Sequence, residues 1–311
     1  MSSSSKEKEY HYSEIFYSMQ GEGKYTGVGT AWLRYFLCNL QCDGFGQKDP
    51  TDPKTYKLPY KDMPVDFIKR VEDLPVWKYG CDSSYSWAKK FKHLMHKGTP
   101  EYIANQIIGS IRTEHNMEAK FDHPAGQPIH MCFTGGEPLM KHAQDCTVGI
   151  LDYFDKIKNS PRFITFETNA TQALKPEFNN FMTNWREMGR EIFISSSPKL
   201  WTTSGETNKD AIVPEVLAEY HSLSRGHGQI KYVVNGKKET WEEVEHVTNE
   251  FRKAGVTFPV WIMPVGATEE GQTGELEGYM SAGAIADQAF KRGFNVSARV
   301  HVYLWGNTIG V

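Results

Sequence analysis

Short apolar or β-branched runs recur at Ala31 to Leu37, Ile129 to Phe133, Phe163 to Phe166, Glu191 to Ser195, Gln229 to Val234, Phe258 to Ile262 and Val300 to Leu304, and each reads as a strand. Longer segments with helical spacing separate most of them, for example Ile103, Ile107 and Ile111, or Trp241, Val244, Val247 and Phe251. This alternation confines the chain to an α/β fold with a parallel sheet, because parallel neighbours need long crossovers. In a barrel-like sheet of this kind the chemistry gathers at the C-terminal strand ends, where Thr134 to Pro138, Glu167 to Asn169 and Ser196 to Lys199 fall. Periodicity by itself does not separate a partial barrel from an open doubly wound sheet. The 311 residues, 39% of them hydrophobic, suffice for one large domain or one domain carrying an insertion.

Five cysteines are too few and too unevenly placed for a disulfide framework. Cys38-Asn39-Leu40-Gln41-Cys42 instead sets two thiols with three residues between them, and Cys81 is the next along. Three thiolates around a four-iron cluster leave one iron without a protein ligand, open to a molecule that chelates through amine and carboxylate, as S-adenosylmethionine (SAM) does. The turn Thr134-Gly135-Gly136-Glu137-Pro138 suits such a molecule, since its glycines let the backbone approach closely and Glu137 can pair with an ammonium group. Taken alone, the cysteines could also be buried structural thiols or a zinc site, and zinc would need a fourth ligand from a distant His. Cys132, inside a strand two residues before the glycine turn, reads as a buried apolar residue, as does Cys146 in a helical segment.

The spacing of Cys38 and Cys42 begins like that of radical SAM enzymes, but Phe45 stands where their third cysteine belongs. Cys81 and its successors Asp82-Ser83-Ser84-Tyr85-Ser86-Trp87 resemble the Cys-Asp-Thr-x-Tyr-x-Trp stretch that begins at the third cluster ligand of 7-carboxy-7-deazaguanine synthases. Further similarity to that family lies in Glu14-Ile15-Phe16-Tyr17-Ser18-Met19-Gln20-Gly21-Glu22-Gly23, Gly27 and Arg34. It continues through Glu167-Thr168-Asn169, Ser197-Pro198-Lys199, Met263-Pro264 and His301-Val302-Tyr303-Leu304-Trp305-Gly306-Asn307. The chain departs from the pattern in its displaced third cysteine and in Ala170, where the family usually has Gly.

The resemblance implies a single domain over residues 1–311, a partial (β/α) barrel of the radical SAM type, with an insertion at 43–80 in the cluster loop and a flexible start at 1–9. It implies a 4Fe-4S cluster on Cys38, Cys42 and Cys81, with SAM held by Gly136, Glu137, Ser197, Pro198 and Lys199. A pterin would be held by Met19, Gln20, Gly21, Glu22, Arg34 on the first strand, Thr134, His301 and the terminal carboxylate of Val311. Glu22 would accept from the amino-pyrimidinone edge and Arg34 would pair with the pterin carboxylate. Mg2+ would sit on Ser83, which keeps the hydroxyl oxygen of the family's Thr. The implied reaction converts 6-carboxy-5,6,7,8-tetrahydropterin to 7-carboxy-7-deazaguanine with loss of ammonia, a step toward queuosine in tRNA or toward modified DNA. The long insertion looks like that of phage-type members. An electron donor such as flavodoxin and a homodimer are usual for the family.

The insertion is rich in Lys, Asp, Pro and Tyr and carries no strong amphipathic stripe. It is expected either to cover the cluster, to form a subunit or donor surface, or to be a tolerated surface excursion. A net charge of −3 without a long basic run gives little support for nucleic-acid binding. No apolar run is long enough to span a bilayer, so no membrane partner and a cytoplasmic location are expected. Two rival functions remain open: another radical SAM enzyme such as a glycyl-radical activase, and a non-catalytic iron-sulfur or zinc protein.

Overall fold

A computed structural model describes residues 7–273 and 278–310. Its strands are β1 (Tyr10–Met19), β2 (Gly29–Tyr35), β3 (His96–Gly98), β4 (His130–Gly135), β5 (Phe163–Thr168), β6 (Glu191–Ser196), β7 (Gly228–Val234), β8 (Val260–Pro264) and β9 (Asn295–Val296). Among the described residues they form one sheet in the order β3-β1-β2-β4-β5-β6-β7-β8-β9. From β2 to β9 every pairing is parallel, while β1 runs antiparallel to both β2 and β3. Helices Pro100–Ser110, Lys141–Lys156, Pro176–Glu187, Pro214–Leu223, Lys238–Lys253 and Ala282–Lys291 lie between the strands. The sheet is open, and β3 and β9 are its edges. This is the expected partial barrel rather than a doubly wound sheet.

The two-residue period of the strands separates core from interior. On β2, Ala31, Leu33 and Tyr35 join the main apolar core with Ile103 and Ile107 of the first long helix, while Trp32 and Arg34 face a cavity on the other side. On β7, Ile230, Tyr232 and Val234 belong to that core, while Lys231 and Val233 line the cavity. A one-residue slip of either strand would bury the wrong set, so the register is tightly specified.

Two sequence expectations are corrected. Val300–Trp305 is a helix, not a strand. Its alternating pattern has no strand to pair with once β9 ends the sheet, and Gly306, at φ 64, ends the helix with its N–H on the Val302 carbonyl. Arg34 lies on the second strand, because Tyr10–Met19 forms a strand before it. The remaining strand expectations fall on β2 and β4 to β8, with ends shifted by a few residues.

The opening between β1 and β9 is spanned by chain rather than by a strand. Val300 N–H donates to Gly21 O at 2.9 Å, and Gly23 N–H donates to Ser297 Oγ at 2.8 Å. The 20–25 loop enters from the N-terminal end of the parallel strands. There Tyr25 packs edge-on against His130 and Phe193, and His130 stacks on Phe163 at 4.6 Å. These rings plug the lower end of the barrel.

Residues 43–80 contain only short helical turns, at Pro53–Thr55, Pro59–Asp62 and Val71–Asp73. They are nevertheless packed. Tyr60, Ile68, Val71, Leu74 and Trp77 form a second apolar cluster with Tyr85, Ala88, Phe91 and Leu94, which come after Cys81. Tyr60 and Lys61 both donate to the Asp43 carboxylate at 2.9 Å, fixing the start of the segment. Among the described residues no helix is long and apolar enough to cross a membrane. The N-terminal segment lies outside the described residues up to residue 6.

Candidate active site

The inward residues of the strands and the loops above them enclose a cavity of ≈ 270 Å³. Cys38, Cys42 and Cys81 all line it. Cys38 and Cys42 lie on the loop after β2, and Cys81 returns to them at the far end of the 43–80 segment, packing in one small cluster with Leu40 and Phe45. Burial pushes the Cys38 thiol up to about 12, the Cys81 thiol up to about 11 and the Cys42 thiol well above its ordinary range. Lys199 pulls all three the other way. An incoming iron cluster would therefore have to displace protons from three thiols, one buried and two half-buried, as metal binding to cysteine generally does. Among the described residues no three His, Cys, Asp or Glu side chains gather closely enough for a single metal ion. Cys132 and Cys146 are fully buried, the former on β4 and the latter in Lys141–Lys156.

The glycine turn after β4 is held against the cysteine loop. Glu137 N–H donates to Leu37 O at 2.8 Å, and a Cβ on Gly136 would stand 1.8 Å from that same oxygen. Only glycine fits. Leu37 itself takes a positive φ of 92, a strained conformation for a branched side chain, and its N–H is held by Ser86 O at 2.7 Å. Glu137 does not line the cavity. Its carboxylate accepts from Leu139 N, Thr168 Oγ1 and Asn169 N at 2.7–2.9 Å, bracing the turn to the end of β5. Burial outweighs these donors and lifts its carboxyl to about 7.

Also lining the cavity is a chain of buried and half-buried charges. Both Lys231 and Arg299 donate to the Glu22 carboxylate, Arg299 at 2.9 Å, and Arg299 also reaches Asp82 at 2.6 Å. Burial alone would raise the Glu22 carboxyl, but Lys231 and Arg299 hold it well below the usual carboxylate range. Arg34 Nε donates to Glu14 at 2.6 Å, and its Nη1 donates to Gly135 O at 3.1 Å and Ser83 Oγ at 3.3 Å. Tyr85 donates to the same Glu14 oxygen at 2.7 Å. Gln20 and Thr134 both donate to Glu167, at 3.1 and 3.4 Å. Phe16 and Trp32 stack at 5.6 Å and form an aromatic wall.

The structure thus brings Met19, Gln20, Gly21, Glu22, Arg34, Cys38, Cys42, Cys81, Ser83, Thr134, Gly136, Ser197, Lys199 and His301 to one cavity. Of the expected site residues, Glu137 and Pro198 stand outside its wall, and Val311 lies outside the described residues.

No protein-family model matches the chain. Over 302 residues it is 22% identical to the 7-carboxy-7-deazaguanine synthase of Leptospira interrogans, covering 96% of each protein. It is 23% identical over 304 residues to the synthase of Halobacterium salinarum, covering 95% of this chain and 90% of that protein. The match to the Thermoplasma acidophilum synthase is 25% over 163 residues, about half of either protein. The fold is similar to that in the crystal structure of QueE from Escherichia coli, with a TM-score of 0.50 and 16% identity over 94% of this chain and 95% of that one. The chain is thus similar to the 7-carboxy-7-deazaguanine synthases over nearly its whole length.

Relative to the usual pattern of the synthases, Ala170 takes the left-handed conformation, at φ 62, that glycine adopts freely. The methyl group is accommodated in the main core. Several cavity residues escape a motif reading. Lys231 carried a signal, a lone cation inside the apolar run Ile230 to Val234, which has to find a partner once that strand is buried. Arg299 carried none, since its role arises from partners 277 and 217 residues away in sequence.

Proposed function

We propose that the chain is a 7-carboxy-7-deazaguanine synthase, converting 6-carboxy-5,6,7,8-tetrahydropterin to 7-carboxy-7-deazaguanine with loss of ammonia, on the way to a 7-deazapurine such as queuosine. The observation that carries this reading is that one cavity is lined both by three cysteines and by a carboxylate paired with two cations, Glu22, a half-buried guanidinium, Arg34, and His301. A glycyl-radical activase acting on a protein has no need of such a set, and a structural iron-sulfur site has no need of the cavity.

The donor set suits a 4Fe-4S cluster, being three thiols beside a turn in which only Gly136 fits. Bound to Cys38, Cys42 and Cys81, the cluster together with SAM would supply the one-electron chemistry that no side chain can. The chain's own part is positioning and exclusion of water. Gly135 and Gly136 present backbone to the cofactor, and Ser197 with Lys199 offers a hydroxyl and a cation to its polar groups. Glu22 accepts from the amino-pyrimidinone edge of the pterin, Arg34 pairs with its carboxylate, and Phe16 and Trp32 flank the ring. His301 fills the space beside Gly21, where a Cβ would meet its ring at 1.9 Å. Pro75, Val76 and residues 307–310 also line the cavity.

Ser83 Oγ would bind Mg2+ together with substrate oxygens, and both Asp82 and Arg34 already hold that hydroxyl. An external donor such as flavodoxin and a homodimer belong to the same reading. The test is an anaerobic assay of reconstituted protein with dithionite, SAM, Mg2+ and the carboxypterin, monitored by mass spectrometry. Formation of 7-carboxy-7-deazaguanine upholds the synthase. Reductive cleavage to 5'-deoxyadenosine without it would keep the radical chemistry and discard the substrate.

A further inference from the structure

Three segments remote in sequence meet at one side chain. The Arg299 guanidinium donates through Nε to Glu22 Oε1 at 2.9 Å and through Nη2 to Asp82 Oδ2 at 2.6 Å. Glu22 belongs to the loop after β1, Asp82 comes directly after the third cysteine, and Arg299 precedes the C-terminal helix. The backbone at Arg299 is itself pinned, because its N–H donates to Gln272 Oε1 at 3.1 Å. Gln272 is buried and donates to Gly266 O at 2.7 Å.

This arrangement does two things to Glu22. Lys231 takes Oε2 and Arg299 takes Oε1, so the carboxylate is gripped at both oxygens and its plane is fixed. Each oxygen retains a second lone pair for a ligand. The other arm of Arg299 holds Asp82, whose Oδ1 accepts from Ser83 Oγ at 3.1 Å, and Arg34 Nη1 reaches that hydroxyl at 3.3 Å. The substrate loop and the cluster loop are thereby set at one fixed separation by a planar, two-armed cation. A lysine is a point charge and cannot serve two carboxylates in this way.

We infer that Arg299 is a positioning residue for pterin recognition, acting through Glu22 and holding it in register with the Cys81-Asp82-Ser83 loop. This deepens the synthase reading and rests on it. Small displacements of an aligned group are costly to orientation-dependent binding and catalysis, so the effect should appear in ligand affinity rather than in folding alone.

The test is a cycle of wild type, Arg299→Met, Glu22→Gln and the double variant, each with its cluster reconstituted. Affinity for 6-carboxytetrahydropterin and, separately, for SAM is measured by anaerobic calorimetry, alongside thermal melts. Arg299→Met is expected to weaken pterin binding by about 10- to 100-fold in the wild-type background but by no more than about 3-fold when Glu22 is already Gln. SAM affinity should change little. Arg299→Lys should restore melting temperature without restoring pterin affinity, and it carries the same comparison if the Met variant fails to fold. Equal losses in both backgrounds, or recovery of pterin affinity by Lys, would overturn the inference. A wild type that binds SAM but no carboxypterin would overturn the synthase reading with it, an outcome distinct from an additive cycle in a protein that does bind.

Discussion

The backbone N–H of Gly80 donates to the carbonyl oxygen of Phe45 at 2.7 Å. The intervening residues therefore leave and return at one point, and Cys81 arrives beside the position where an uninterrupted loop would carry its third cysteine. The approach is close: a Cβ on Gly46 would stand 2.5 Å from Lys78 O. Packing of Tyr60, Val71, Leu74 and Trp77 against Tyr85 and Phe91 anchors the excursion to the residues that follow Cys81.

On the proposed reading, this closure makes Cys81 the expected third ligand. After anaerobic reconstitution, Cys81→Ala should lose the visible absorption of an iron-sulfur cluster and all turnover, whereas Cys132→Ala should keep both. The opposite pattern would exclude the ligand set, since Cys132 is fully buried within β4 and stands outside the cavity wall.

Two glycines should separate cofactor from substrate. Gly136→Ala drives a methyl into Leu37 O, a backbone atom that cannot turn aside, so SAM affinity should fall by at least about 10-fold. Gly21→Ala collides instead with the His301 ring, a side chain that can rotate. It should leave SAM binding intact and weaken pterin binding. Calorimetry with each ligand distinguishes the two.

Lys231 is buried on β7 and pairs with Glu22, so its loss leaves a buried carboxylate with one cation instead of two. Lys231→Met should cost about 3 kcal/mol in denaturant unfolding, and adding Glu22→Gln should recover most of it. An unchanged midpoint for the single variant would show that the pair adds nothing to stability.

Stability should fall on acidification for a reason away from the cysteines. Burial among Tyr25 and Phe163 lowers the pKa of His130 to about 4, below its unfolded value near 6.5. Above pH 6.5 both states are neutral and the contribution is complete. Between 6.5 and 4 the unfolded chain takes the proton more readily than the folded one, and about 3 kcal/mol should be lost. His130→Phe should flatten that part of the melting-temperature profile, and a slope identical to wild type would place its origin elsewhere.

Much of the site was legible because its residues sit in short contiguous motifs. Gln20 to Glu22, Thr134 to Gly136 and Ser197 with Lys199 occur beside the strands that present them; residue type singled out the glycine turn, and the family resemblance supplied the others. Glu137 shows the limit of that method. Its type suits an ammonium partner, and only packing reveals the three donors from its own turn and from the end of β5 that its carboxylate accepts. The Val300 to Leu304 run shows another, since alternation specifies a face but not whether a strand exists to pair with it.

The sequence by itself determined the parallel α/β architecture, through hydrophobic period, and the family likeness, through motifs read in order. The tertiary structure decided where the charges go. Glu22, Asp82, Lys231 and Arg299 are separated by tens to hundreds of residues, and a buried ion is tolerable only if the fold delivers its partner. That pairing depends on how the chain spans the open side of the sheet, with Cys81 folded back to Cys42 and Arg299 brought to Glu22, and no local pattern encodes it.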